Sequence, residues 1–474
     1  MVNIEQKKKS KQESKKEREG QKVRRIASIH LIPFSFLAAI LIGTCLLLIP
    51  AATAPGEHTD FVTALFTATT SVCVTGLVVV DTYAHWSIFG QAIILILAQL
   101  GGLGIITVAS LFMMLGRKKF TLGNSMLLMD ALNLDVNNGL LRFLTRIIQG
   151  TFLVELLGTV LYACAFVPKF GLVKGLWAAL FNSVSAFCNA GMDVMGADSM
   201  TGWRDDPLVM GVTMVLILLG GLGYVVWFDL AGNIKRGLKK RFTPRQIISR
   251  LSEHSKLVLV LTLVLLFGGA VFFFLTEYDN PETIGNLSLS GKLANSLFQS
   301  VTLRTAGFTS FPQEKLRLVS CLGAYILMFI GGSPVGTAGG VKTVTFFLVI
   351  MNVVSYLQGK KVDILFRRRV STELMRKASA VVFVSMFTVA ALSMVLLCIE
   401  PVALEDALYE IVSASATVGL SRGLTSSLHT GGRLVVILAM YLGRIGPIAM
   451  AIAFTGQNAE RQKLRYAEGR FYVG

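Results

Sequence analysis

Charge is scarce in this sequence. Of its 474 residues only 15% are Asp, Glu, Lys or Arg, while 53% are hydrophobic. A soluble chain of that length needs far more polar surface to cover its core, so a soluble globular fold is excluded. Cysteine is sparse too: Cys45, Cys73, Cys164, Cys188, Cys321 and Cys398 lie far apart, mostly in apolar runs, with no CxxC and no metal-ligand spacing. They read as small buried hydrophobes rather than a disulfide framework or metal centre. Histidine is rarer still, and none of His30, His58, His85, His254 and His429 falls well inside an apolar run. The Gly419-Leu-Ser-Arg-Gly423 match to the serine-hydrolase elbow therefore lacks the general base an intramembrane hydrolase needs. Gly336–Thr343 has a Walker-like look, but Val341 separates Gly340 from Lys342 and no strand precedes it. The chain reads as a non-enzyme with no bound organic cofactor.

What the sequence has in place of charge is length of apolar run. Leu31–Ile49, Trp86–Leu115, Leu208–Phe228, Leu257–Thr276 and Ala378–Ile399 carry no charge at all. Ile147–Val167 carries only Glu155, Leu434–Phe454 only Arg444, and Leu318–Val341 is uncharged but broken by glycines. About 18 apolar residues suffice to cross a bilayer as a helix, which gives eight expected spans and an all-α integral membrane protein. The net charge of +17 is distributed accordingly. Lys and Arg concentrate in alternate connections: Met1–Arg25, Gly116–Arg146, Asp229–Lys256, Gln358–Lys377 and the segment after Phe454. That alternation follows the positive-inside rule and puts both termini in the cytoplasm of a multi-pass plasma-membrane protein. Its basic surfaces then face membrane lipid rather than nucleic acid. The tail up to about Val23 is too polar to bury a core and is expected to be disordered.

The external connections repeat. Leu65–Leu77, Leu180–Met192, Leu297–Phe308 and Leu408–Leu420 each open with Leu and an aromatic residue, continue through Ser and Thr, and close on Gly plus a large apolar residue. A second glycine landmark follows in the next span: Gly101-Gly102, Gly220-Gly221, Gly331-Gly332, and Gly443 with Gly446. Two landmarks in one order, four times over, are internal repetition. The repeated segments are too short to span, at roughly 18 Å as helix, so they must enter and leave on one side. Irregular backbone at that depth belongs beside a water-filled path or inside protein. Four re-entrant loops around an axis make a pore, with glycine turning backbone carbonyls inward to replace an ion's water shell. The expected organisation is a basic tail (1–25) and four helix–pore loop–helix repeats: 26–116, 117–236 with its preceding cytoplasmic connection, 237–360 with an intramembrane loop, and 361–474 with the cytoplasmic C-terminus. A conventional alternating-access carrier shares broken helices and repeats, but typically uses two halves and an intramembrane charge site.

At these residues the sequence resembles the Trk/Ktr/HKT superfamily of K⁺ transporters, and within it the KtrB branch. The resemblance rests on Thr302-Leu-Arg-Thr-Ala-Gly-Phe308, on Asn182–Gly191, and on Gly331-Gly-Ser-Pro-Val-Gly-Thr-Ala-Gly-Gly-Val-Lys-Thr343. It implies a homodimer, a cytoplasmic KtrA-like nucleotide-binding regulatory ring, and K⁺ as the transported ion, with Na⁺ as a second candidate. By motif position the K⁺ filter is Val74-Thr75-Gly76, Asn189-Ala190-Gly191, Thr305-Ala306-Gly307 and Thr417-Val418-Gly419. Leu77 and Leu420 stand where the family often has Phe, and Met192 departs as well. One glycine per loop, against the longer K⁺-channel signature, leads us to expect weaker discrimination against Na⁺.

Two further readings concern charge and backbone. Arg304 and Glu410 flank the third and fourth filters, and we expect them to pair and brace the filter, because each is costly in hydrocarbon alone. Glu155, the acid deepest in a span, is read as a bond to a neighbouring helix. The sixth span is interrupted by Gly331, Gly332, Ser333, Pro334, Val335, Gly336, Thr337, Ala338, Gly339 and Gly340. Each glycine there costs roughly 1 kcal/mol of helix propensity and the proline roughly 3. A continuous helix is therefore not expected, and the segment reads as a gate below the filter. Arg444, at the same level of the eighth span, would repel K⁺ or hold that loop by its carbonyls.

Overall fold

The computed structural model describes residues 33–104, 140–196, 199–360, 362–366 and 368–446. The basic tail, the latter part of the Trp86–Leu115 run, most of the Gly116–Arg146 connection and the segment after Gly446 lie outside the described residues.

Four units follow one another along the chain, each an outer helix, a short helix and an inner helix. The first comprises α1 (Pro33–Leu47), α2 (Phe61–Cys73) and α3 (Ile88–Leu103). The second comprises α4 (Leu140–Phe170), α5 (Leu172–Cys188), α6 (Pro207–Gly221) and α7 (Tyr224–Lys240). The third comprises α8 (Glu253–Glu277), α9 (Leu289–Thr302), α10 (Leu318–Phe329) and α11 (Thr343–Leu357). The fourth comprises α12 (Thr372–Ile399), α13 (Leu404–Ser415) and α14 (Thr430–Ile445). The inner helix of each unit packs on the short helix of the next: α3 on α5, α6 on α9, α10 on α13, and α14 back on α2. The chain thus closes into a ring of four.

Local signals set the helix boundaries. Asp60, Ser288 and Asp206 accept hydrogen bonds from the first amides of α2, α9 and α6, and Pro207 opens α6 where no amide bond is needed. Ser252 and Ser371 do the same for α8 and α12. The outer helices turn apolar side chains outward: Leu153, Leu156, Leu157 and Val160 on α4, Val260, Leu263, Val264 and Phe267 on α8, Phe383, Met386 and Phe387 on α12. Such exposed stripes suit a lipid solvent. Polar residues go to the centre instead. Thr67, Thr69, Thr70 and Ser71 on α2, Asn182, Ser183 and Ser185 on α5, Asn295, Ser296, Gln299 and Ser300 on α9, and Ser413 on α13 are all buried. The protein is a membrane protein with an apolar rim and a polar core.

Of the eight expected spans, of which only the sixth was expected to be interrupted, the second unit's inner span is broken as well. α4, α8 and α12 are unbroken and long enough to cross. The Leu208–Phe228 run is instead a broken pair, α6 and α7 meeting at 100°. The cause is local: Gly223 takes φ 84°, and Gly220 and Gly221 give their carbonyls to Thr337 and Ser333 rather than to a continuing helix. The inner helices α3 and α14 end in the same way, at Gly104 (φ 83°) and Gly446 (φ 90°). The second glycine landmark therefore marks a helix end in the first, second and fourth units, not only an interruption in the third.

Candidate functional site

The four short helices point their C-terminal ends at one place. At each C-cap or within two residues of it stands a left-handed residue: Val74 (φ 55°) and Asn189 (φ 60°) cap α2 and α5, while Thr305 (φ 69°) and Thr417 (φ 51°) follow the right-handed caps Leu303 and Ala416 of α9 and α13. Two residues later comes a glycine with positive φ: Gly76 (98°), Gly191 (66°), Gly307 (85°) and Gly419 (93°). The middle residues Thr75, Ala190, Ala306 and Val418 are not left-handed and are fully buried. Alternating hand along a tripeptide turns successive carbonyls to one side. Three of the left-handed residues are β-branched, a conformation that costs about 1–3 kcal/mol each and persists only where surroundings enforce it.

The surroundings are visible. A Cβ built on Gly76 would lie 2.6 Å from the Ala190 carbonyl oxygen, one on Gly191 2.6 Å from that of Ala306, and one on Gly307 2.7 Å from that of Val418. A Cβ on Gly419 would strike the Thr75 carbonyl oxygen, which closes the circle. Four backbone turns meet with no room for a side chain. Each is held from behind by its own short helix. The amides of Thr75, Ala190 and Val418 bond the carbonyls of Thr70, Ser185 and Ser413 at 2.8–2.9 Å, and Ala306 bonds Thr302 at 2.9 Å. The side-chain hydroxyls of the same four residues reach the turn: Thr70 and Ser413 accept from the amides of Gly76 and Gly419, Ser185 from Met192, and Thr302 donates to the Phe308 carbonyl at 2.7 Å. All four stand five places after the leucine that opens their segment. Sequence reading noted the Ser/Thr content but missed these positions, and that fixed offset is the signal that identifies them. Leu77, Met192, Phe308 and Leu420 pack buried just beyond the turns.

The Gly331–Gly340 segment lies against this ring. Its ends are zipped together: Gly331 donates to Val341 at 3.0 Å, Val341 to Phe329 at 3.1 Å and Thr343 to Gly332 at 3.1 Å. Its middle touches the second, third and fourth units. Gly339 donates to Thr305 Oγ1 at 3.2 Å, and a Cβ on Gly339 would meet Thr417 Oγ1. Thr337 Oγ1 donates to the Phe187 carbonyl at 3.1 Å, and Ser333 and Thr337 donate through their amides to Gly221 and Gly220 at 2.9 and 3.1 Å. The Pro334 carbonyl abuts Gly223, and Gly336 abuts Gly220. Arg444 supplies the remaining tie, donating to the Thr337 carbonyl at 2.8 Å and to the Gly101 carbonyl at the end of α3. A second cation, Lys342, donates to the Ala338 carbonyl at 2.6 Å. Lys342 was passed over in the sequence because it looked like a failed Walker lysine.

The expected pair of Arg304 and Glu410 is not formed. The Glu410 carboxylate accepts from Ser421 at 2.7 Å and from Thr425, both in the stretch after the fourth turn. Arg304 leaves the end of α9 the other way, toward Gly221, Thr262 and Gly332. The two side chains diverge because each follows its own helix end. Glu155 does bond a neighbouring helix, accepting from Gln99 of α3 at 3.2 Å. Among the described residues no group of three or more His, Cys, Asp and Glu side chains is placed to hold a metal ion, and all six cysteines are free.

Residues 9–462 match the TrkH family, described as a cation transport protein. This chain belongs to that family. It is therefore a transporter, and the Gly419–Gly423 elbow is part of the fourth turn rather than of a hydrolase. It is 36% identical over 444 residues to the Ktr system potassium uptake protein B of Bacillus subtilis, covering 94% of this chain and 96% of that one. It is 34% identical to the potassium/sodium uptake protein NtpJ of Enterococcus hirae, covering 95% of this chain and 98% of that one. Among solved structures, the potassium transporter TrkH of Vibrio parahaemolyticus shares the fold at a TM-score of 0.70 and 16% identity, over 89% of this chain and 84% of that one.

Proposed function

We propose that this chain is the ion-translocating subunit of a K⁺ uptake system, conducting through the centre of its four-unit ring. The observation that carries this reading is the closed circle of approaches among Gly76, Gly191, Gly307 and Gly419. Carbonyls of Thr75, Ala190, Ala306 and Val418 at that circle offer a cation a neutral, oxygen-lined site in place of its hydration shell. The ends of α2, α5, α9 and α13 add the negative poles of four helix dipoles. K⁺ is the ion of choice because the circle offers carbonyl dipoles and no carboxylate, a weak field that suits a large, easily dehydrated cation.

Gly331–Gly340 acts as the gate below the filter, with Arg444 and Lys342 as its latches. Closed, the loop stands in the path, and two cations beside it oppose K⁺ electrostatically. Opening exchanges the Arg444 and Lys342 bonds for other partners. The chain works as a homodimer under a KtrA-like cytoplasmic nucleotide-binding ring, a reading supported by its likeness to a protein named as part of a Ktr system. Both termini face the cytoplasm of the plasma membrane. A second reading, permeation by or coupling to Na⁺, draws support from the likeness to a potassium/sodium uptake protein and from the short one-glycine turns. Flux into proteoliposomes under separate K⁺ and Na⁺ gradients tests both. K⁺-selective, non-saturating uptake supports the first reading, and uptake that requires Na⁺ supports the second.

A further inference from the structure

We propose that the protein holds a monatomic anion, of the size and charge of chloride, in a buried site formed by Arg304 and Thr262 behind the third turn. Arg304 is 6% exposed and Thr262 7%. Among the described residues the guanidinium has no carboxylate partner, and both Arg304 Nε and Thr262 Oγ1 lack any hydrogen-bond partner. The two residues line one small cavity, together with Ile217, Gly221, Val301 and Gly332. It leaves about 10 Å³ for the centre of a water-sized occupant, room for a single small species.

The chemistry selects the occupant. A buried guanidinium without a counter-charge is strongly disfavoured, and truly orphaned buried donors are rare. The acids of α8, which lines the cavity through Thr262, are committed elsewhere, Glu277 to Asn280, Thr283 and Ser320 and Glu253 to Arg368, and Glu410 is held by Ser421 and Thr425. Water would answer the hydrogen-bond demand of Arg304 Nε but not the charge. A bulky anion such as sulfate or phosphate is poorly matched to so small a space. One halide answers both, accepting from the guanidinium and from the Thr262 hydroxyl. Its position also matters, because Gly221 ends α6 at the 100° break and Gly332 opens the interrupted segment. The occupant therefore sits where the Ser333 amide ties that segment to the Gly221 carbonyl.

The test uses the full-length protein, purified at constant K⁺ and ionic strength, with chloride exchanged for gluconate. The melting midpoint is expected to fall in gluconate and to recover on adding chloride or bromide. Crystals grown with bromide are expected to show anomalous density between Arg304 and Thr262. Thr262→Val, which keeps the shape and removes the hydroxyl, is expected to raise the half-saturating halide concentration several-fold. Arg304→Gln is expected to abolish the response, and if that variant fails to fold, Thr262→Val carries the test alone. Equal midpoints in chloride and gluconate, a halide response unchanged by Thr262→Val, or bromide absent from the cavity would each overturn the proposal.

Discussion

A side chain on the third residue of any of the four tripeptides has nowhere to go. Built on Gly191, a Cβ would press to 2.6 Å from the Ala306 carbonyl oxygen and 2.7 Å from the Gly307 Cα, in a backbone conformation already hostile to L side chains. Gly191→Ser and Gly307→Ser are expected to abolish K⁺ uptake or relax K⁺/Na⁺ selectivity while the protein still reaches the membrane. Uptake assays paired with surface labelling check this. The bracing hydroxyls are a gentler case. Thr70→Val and Ser413→Ala each remove one hydrogen bond to a turn amide, worth about 1 kcal/mol, so selectivity should shift by roughly up to tenfold with flux retained. Reversal potentials in mixed K⁺ and Na⁺ read that shift. Asp193 adds a pH dependence. Burial pushes its carboxyl up to about 6, and nearby Asp81 pushes the same way, against the opposing hydrogen bonds from Ser199 and the Met195 amide. The sign follows: above that pH the group is ionised beside the second turn, and below it the charge is gone. K⁺ uptake should therefore decline as pH on that face falls through about 6, and Asp193→Asn should flatten the profile. At this scale the glycines were legible from spacing alone. The left-handed Val74, Thr305 and Thr417 were not, since β-branched residues argue against such angles until a tertiary ring enforces them.

Between residues and the whole lie the broken elements. The outer helices α4, α8 and α12 were legible because composition alone sets a long lipid-facing helix. The break between α6 and α7 was not. Gly220-Gly221 reads equally well as a packing pair, and what ends the helix is a set of amides from Ser333 and Thr337 in another unit. The diverging side chains of Arg304 and Glu410 were likewise invisible, since sequence gives their helices but not their directions. For the interrupted segment itself, glycine content foretold irregular backbone, and the structure adds what it touches. Arg444 bridges the Thr337 carbonyl in the third unit and the Gly101 carbonyl in the first. Arg444→Ala, or deletion within Gly336–Gly340, is expected to raise ion flux and blunt control by a cytoplasmic partner. Single-channel or proteoliposome recordings compare each with the parent, and unchanged flux and control in both would remove the segment from the gate.

For the molecule as a whole, what matters is closure. The packing of α3 on α5, α6 on α9, α10 on α13 and α14 on α2 places four unlike tripeptides around one axis. On the proposed function, neutral carbonyls at that axis act on the ion collectively, and the apolar outer helices suit a lipid surround. This inversion, polar centre and apolar rim, explains why a chain so poor in charge can still pass ions. The most direct test of the central claim is ion occupancy. In crystals or vitrified particles prepared with Rb⁺ or Tl⁺ replacing K⁺, the account predicts density on the axis, encircled by the carbonyl oxygens of Thr75, Ala190, Ala306 and Val418. Density absent from that ring, or found instead only beside Glu155 or another acid, would contradict it.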